Sequence, residues 1–217
     1  ERSTHVKARS LEDSIWSALN EAVFAVGPVA GGLRISEMMY HPLESGSPDD
    51  PNAEYIELTN VGQETINLNL VKFTNGIEFT FPDIELAPGR YCLVVRNTAA
   101  FEARYPGVPV VGQYSGSLNN AGERVELQDA AGTVIHRFKY NDGWFDITDG
   151  MGFSLTVRDP LTADANALDD KSFWRPSARV GGSPGTDDSG LAPELGSVVI
   201  NELMANPSGG DPDWIEL

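Results

Sequence analysis

The stretch Leu33-Arg34-Ile35-Ser36-Glu37-Met38-Met39-Tyr40-His41-Pro42 returns 165 residues later as Val198-Val199-Ile200-Asn201-Glu202-Leu203-Met204-Ala205-Asn206-Pro207. A second match follows each copy. Glu54-Tyr55-Ile56-Glu57-Leu58 returns as Asp213-Trp214-Ile215-Glu216-Leu217. The polar loop between the two matches is 11 residues in the first copy (43–53) and 5 in the second (208–212). Loops vary in length more readily than the strands they join, and a repeat of this kind means one structural unit used twice. The reading that follows has residues 1–32 as the C-terminal remnant of a preceding β module, 33–187 as one complete domain, 188–197 as a linker and 198–217 as the start of a second copy. The whole chain then reads as an excerpt from a longer protein.

The complete unit reads as short strands between turn signals. Candidate strands are 33–39, 54–60, 66–74, 77–82, 91–96, 123–129, 133–140 and 152–157. Ile56 and Leu58 alternate with Tyr55 and Glu57, the two-residue period of a strand. Tyr91-Cys92-Leu93-Val94-Val95 is continuously apolar, which suits a strand buried on both faces. Residues 99–105 are expected to form one or two helical turns before Pro106. Gly (22) and Pro (14) together are roughly 17% of the 217 residues, above the average near 12%. Many short strands and many turns indicate an all-β chain folded as an antiparallel sandwich.

The charge narrows the function classes. Fifteen basic against thirty-two acidic residues leave a net charge of -17. Nucleic-acid binding rests on Lys and Arg neutralising phosphates, so no nucleic-acid partner is expected. The acidity is spread along the chain, which fits a solvated surface rather than a binding arm. No apolar run approaches the roughly 20 residues of a membrane-spanning helix. One cysteine, Cys92, excludes an intramolecular disulfide framework.

Ile35-Ser36-Glu37-Met38 followed by Glu54-Tyr55-Ile56-Glu57-Leu58-Thr59-Asn60 resembles the lamin tail domain. The similarity runs on through Asn67-Leu68-Asn69-Leu70, Phe79-Thr80-Phe81-Pro82 and Leu86-Ala87-Pro88-Gly89-Arg90-Tyr91. Gly152-Phe153-Ser154-Leu155, Phe173-Trp174-Arg175-Pro176-Ser177 and Gly181-Gly182-Ser183-Pro184-Gly185 look like the ending found in the family's bacterial branch. The resemblance implies an immunoglobulin-like antiparallel β-sandwich in a bacterial surface or secreted protein. The basic surface and coiled-coil rod of nuclear lamins are absent, so no filament role is implied. Val6-Lys7-Ala8-Arg9 and Trp16-Ser17-Ala18-Leu19 are similar to the last hairpin of a fibronectin-like or chitobiase C-terminal-type module.

Glu37 and Glu54 are the first candidates for chemistry. Glu37 shares the parity of Leu33 and Ile35, and Glu54 that of Ile56 and Leu58. Antiparallel pairing of their strands would bring both carboxylates inward at one end of the sandwich. Two close carboxylates need a proton, a cation or several hydrogen bonds. Asp49 and Asp50 would add oxygens for Ca²⁺, and Glu202 with Asp213 would repeat the arrangement. Against this, loop N–H groups or an arginine would satisfy each carboxylate separately. A catalytic pair needs a substrate cleft, which this pattern does not announce.

The remaining candidates are weaker. His5, His41 and His136 have no zinc-type spacing. Ser154 and Ser183 lack the Gly-x-Ser-x-Gly context of a hydrolase nucleophile. Cys92 reads as a small core residue. Trp144, Phe145, Phe173 and Trp174 read either as core or as a carbohydrate-stacking platform.

No catalytic, cofactor or metal residue is assigned from sequence, and Ca²⁺ is the one cofactor entertained. The expected role is a non-catalytic structural or interaction module, adhesion being one form of it, of a secreted or cell-surface multidomain protein. The alternatives are a calcium-supported carbohydrate- or envelope-binding module and an accessory domain attached to a hydrolase. The incomplete ends, beyond about 188 and likewise at 1–26, are expected either to be disordered or to dock as added strands on the full domain or on a second molecule.

Overall fold

The computed structural model describes residues 2–27, 29–44, 46–161, 164–188, 202–205 and 214–216. Two sheets face each other. The larger runs in the order Gly112–Gln113, Tyr91–Val95, Tyr55–Asn60, Leu33–Met39, Leu155–Val157 and Trp174–Pro176. The smaller runs Val134–Lys139, Arg124–Gln128, Lys72–Asn75 and Phe79–Thr80. Within these sheets neighbouring strands are antiparallel, except that Tyr91–Val95 and Gly112–Gln113 run parallel. This is the antiparallel sandwich expected from the strand pattern, of the immunoglobulin-like kind that the resemblance implies.

The main core lies between the sheets. Leu33, Ile35, Met38 and Tyr40 contribute from one strand, Ile56 and Leu58 from the next, and Cys92 and Val94 from the third. Opposite them stand Phe73, Val125, Leu127, Phe138 and Tyr140. A second apolar cluster covers the other face of the larger sheet: Met39, Tyr55, Leu93, Val95 and Phe101. Tyr91–Val95 is therefore buried on both faces, as its continuous apolar run requires. Phe101 comes from the helix Thr98–Arg104, which Asn97 caps by accepting from the Ala100 N–H at 2.9 Å.

Sequence and structure differ in three places. The run 66–74 is not one strand but two, Ile66–Asn67 and Lys72–Asn75, turned at Leu70 with φ 67°. The two-residue strands Glu85–Leu86 and Gly112–Gln113 are too short to leave a periodic signal. Trp174–Pro176 ends in proline, which is tolerated only at a sheet edge.

The N-terminal residues form a ribbon. Thr4–Ala8 pairs with Asn20–Phe24, and Leu11–Glu12 pairs with Ile15–Trp16 at the tip. Asp13 and Ser14 both take positive φ, 46° and 68°, the signature of a type I′ hairpin turn. Arg9 lies over the Trp16 ring at 4.1 Å. The ribbon is tied to the sandwich at its base, where Asn69 Nδ2 donates to the Ser3 carbonyl at 2.7 Å and Arg2 pairs with Asp83.

Glu202–Met204 pairs with Trp214–Glu216 in the register Glu202↔Glu216, Leu203↔Ile215 and Met204↔Trp214. In the complete domain the register is Glu37↔Glu57, Met38↔Ile56 and Met39↔Tyr55. The short ribbon thus repeats the backbone pairing as well as the sequence. Asp213 and the linker 189–197 lie outside the described residues.

Candidate functional site

The buried acids form the centre of interest, and the structure rearranges them. A register shift between Ile35 and Glu37 marks a bulge in Leu33–Met39. The extra residue reverses the alternation. Leu33 and Ile35 point into the main core, Met38 and Tyr40 continue it, and Glu37 falls on the opposite face with Met39 and Tyr55. The expected inward pair of Glu37 with Glu54 therefore does not form. Glu37 stands opposite Glu57, and Glu54 faces the other side of the sheet.

Glu54 is 1% exposed and separately satisfied. Arg96 pairs with its Oε1, while Tyr114 Oη at 3.1 Å and the Leu118 N–H at 2.7 Å donate to Oε2. Burial raises its pKa above the usual carboxylate value more than the Leu118 N–H and Arg96 lower it. Asp49 accepts from Asn52 Nδ2, and Asp50 from the Ser47 N–H. Glu37 and Glu54 share no partner, and among the described residues no cluster of three or more His, Cys, Asp or Glu is placed to hold a metal ion.

Glu37 and Glu57 are each 1% exposed. Tyr55 Oη donates to Glu37 Oε1 at 2.6 Å, and Ser154 Oγ donates to the same oxygen. The Ser183 N–H adds a third bond at 2.9 Å, and Ser183 Oγ bonds Oε2 at 3.0 Å. Glu57 receives the Gly185 N–H at 2.6 Å and lies 2.6 Å from Ser36 Oγ. Burial, and then the neighbouring Glu37 charge, push the Glu57 pKa up to about 8. Burial also raises that of Glu37 against the four hydrogen bonds that favour its ionised form. Two opposed carboxyls in a water-poor site do not both ionise readily.

Three of these six bonds come from the segment 177–188, which crosses the outer face of the larger sheet as a strap. The Gly181 N–H donates to the Gly152 carbonyl at 2.6 Å, and Tyr105 Oη donates to the Gly181 carbonyl at 2.8 Å. Asp188 closes the strap, pairing with Arg175 and accepting the Ala178 N–H at 2.8 Å. Beside the end of the strap lies a half-open pocket of about 350 Å³ bordered by Glu37, Glu57, Tyr91, Arg158 and Asp188. Ser154 and Ser183, unremarkable as nucleophiles in sequence, are thus brought together on Glu37. The residue that sequence reasoning missed is Glu57, whose alternation with Ile56 and Leu58 already placed it off the core.

Of the four aromatic residues Trp174 is core, and the other three pack against that core while partly exposed. Trp174 is fully buried, 5.4 Å from Phe138 and 6.2 Å from Trp144 between ring centres, and its Nε1 donates to the Leu168 carbonyl at 2.9 Å. Trp144, Phe145 and Phe173 are partly buried against the same core. Cys92 is buried, which pushes its thiol up to about 12.

The histidines divide three ways. His5 pairs with Glu21 on the exposed ribbon. His41 is held by Asp149 at 2.6 Å and Glu44 at 2.9 Å; burial opposes its charged form, but these carboxylates outweigh burial and raise its pKa. His136 is 1% exposed with neither ring nitrogen hydrogen-bonded, and burial, then Arg34, lower its pKa to about 3. Among the described residues, none of the three is hydrogen-bonded to a serine.

No helix among the described residues is long and apolar enough to cross a membrane. No curated protein and no solved structure matches the chain significantly. The family model of the lamin tail domain matches residues 27–142, more than half of the chain. That span holds the bulge, both glutamates and the strands that oppose them, while the strap at 177–188 lies beyond it. With this match over an immunoglobulin-like sandwich, the chain belongs to the lamin tail domain family.

Proposed function

We propose that the chain is a structural and interaction module of a larger secreted or cell-surface protein of bacterial type, working by display and packing rather than by bond making. The observation that carries this reading is the contrast between closed and open sheet edges. In the sandwich the edge strand Val134–Lys139 is covered: the Arg137 N–H donates to the Ala165 carbonyl at 2.8 Å. The opposite edge strands are only two residues long, Phe79–Thr80 and Gly112–Gln113. Short or covered edges resist strand addition.

The N-terminal ribbon is the reverse. All ten residues of Thr4–Ala8 and Asn20–Phe24 are exposed. By register Val6 and Phe24 share one face of it, while the polar His5, Lys7 and Glu21 lie on the other. A lone two-stranded ribbon is marginally stable in water and gains by adding to another sheet. The second ribbon exposes Leu203 and Ile215, and its register supports its assignment as the opening of a second domain of the same kind.

Co-sedimentation of the chain with insoluble polysaccharides and cell envelopes, with calcium and with chelator, tests the reading. The expected result is retention on one material, indifferent to chelator and lost in Val6→Lys/Phe24→Lys. Retention that requires calcium, retention unaltered by that double variant, or turnover of any sugar in the panel would contradict it.

A further inference from the structure

The strap and the carboxyl pair it covers form a unit that the interaction role does not use. Glu37 and Glu57 are directly opposite on adjacent strands, and both are buried. Three of the bonds they accept come from the strap: Ser183 N–H, Ser183 Oγ and Gly185 N–H. The strap has been shaped to reach them. Gly182 has φ 75°, and a Cβ there would overlap Tyr55 Oη and Glu37 Oε1. We propose that the Glu37–Glu57 pair is a proton-operated latch: while the pair holds a proton the strap lies on the sheet, and when the proton leaves the strap lifts and uncovers the pair.

The surroundings support this reading. The arginines nearest the pocket are engaged elsewhere, Arg175 with Asp188 and Arg158 with the Trp174 carbonyl at 2.7 Å. Asp159, Asp187 and Asp188 also border the pocket, and the Asp188 charge adds to the rise at Glu57. Tyr55 and Tyr91 from the sheet and Tyr105 from the end of the helix stand on the same face, and burial raises all three, so they stay neutral across the working range. The pair is the group left to titrate near neutrality. Lifting the strap returns both carboxyls to water, where their two charges are screened and solvated.

The sign follows from linkage. Glu57 loses its proton near pH 8 when covered and near 4.5 when exposed, so the covered form binds the proton more tightly. Opening therefore grows more favourable by about tenfold per pH unit between those values and levels off above them.

Hydrogen–deuterium exchange of the full chain from pH 5 to pH 9, corrected for the intrinsic rate, reads this directly. Amides of 177–188 are expected to lose protection by about tenfold per pH unit up to about pH 8 and then to level off, with Tyr91–Val95 still protected. Glu57→Gln is expected to flatten the profile. Should that variant not fold, Glu37→Gln is expected to move the levelling point to lower pH by removing the opposing charge. Strap protection independent of pH, loss of strap and strand protection together, an unchanged slope in Glu57→Gln or an unchanged levelling point in Glu37→Gln would overturn the latch.

Discussion

Gly182 and His136 show how much single positions carry. Gly182 combines a left-handed backbone with a side-chain direction already occupied by Tyr55 and Glu37. Gly182→Ala is expected to cost about 2–4 kcal/mol, from backbone strain plus displacement of the buried acid. Gly89→Ala, at φ 68° but with open space around it, is expected to cost only about 1 kcal/mol. Denaturant unfolding of the two variants checks the difference; equal losses would contradict the packing at 182. His136 is neutral in the folded chain and protonates near 6.5 once unfolded. Its lowered pKa means stability is lost as pH falls from about 6.5 towards 3, by roughly 4–5 kcal/mol across the interval. His136→Leu is expected to remove most of that acid slope in melts from pH 7 to pH 4, and a slope equal to the wild type would refute the assignment.

At the scale of elements, what was legible depended on period. The alternation Tyr55, Ile56, Glu57, Leu58 assigned each side chain its correct face, and the apolar run 91–95 announced a strand buried on both sides. The bulge at 35–37 left no such trace, because one extra residue changes neither composition nor strand propensity. It moved Glu37 to the outer face and with it the whole candidate site. The strap was equally hidden, since Gly181-Gly182-Ser183-Pro184-Gly185 reads only as turn residues, and its role depends on carboxyls about 130–150 residues away in sequence. The ambiguity of the aromatic residues needed tertiary structure to settle. Trp144 packs against the buried Trp174, so Trp144→Ala is expected to lower stability by about 2–4 kcal/mol. An unchanged unfolding midpoint with lost polysaccharide retention would instead make it a binding residue.

Over the whole molecule two of the buried titrating sites, Glu57 and His136, act in opposite directions. Glu57, raised when folded, contributes stability that is fully present below about 4.5 and lost as pH rises through 8. His136, lowered when folded, withdraws stability as pH falls below 6.5. Together they favour a stability maximum in mildly acidic solution, between about 4.5 and 6.5. Glu37 and Glu54 do not build the calcium site envisaged from sequence, because they lie on opposite faces of one sheet and the strap and Arg96 hold them separately. Melting temperatures with millimolar calcium and with chelator are expected to agree within a degree, and a rise of several degrees with calcium would reopen the metal reading. The measurement closest to the central claim, that a buried carboxyl pair fastens the strap to this lamin tail module, is a carbon-13 NMR titration of the glutamate side-chain carboxyls. The account predicts one resonance, Glu57, with a midpoint near 8. Midpoints near 4.5 for both Glu37 and Glu57 would contradict it.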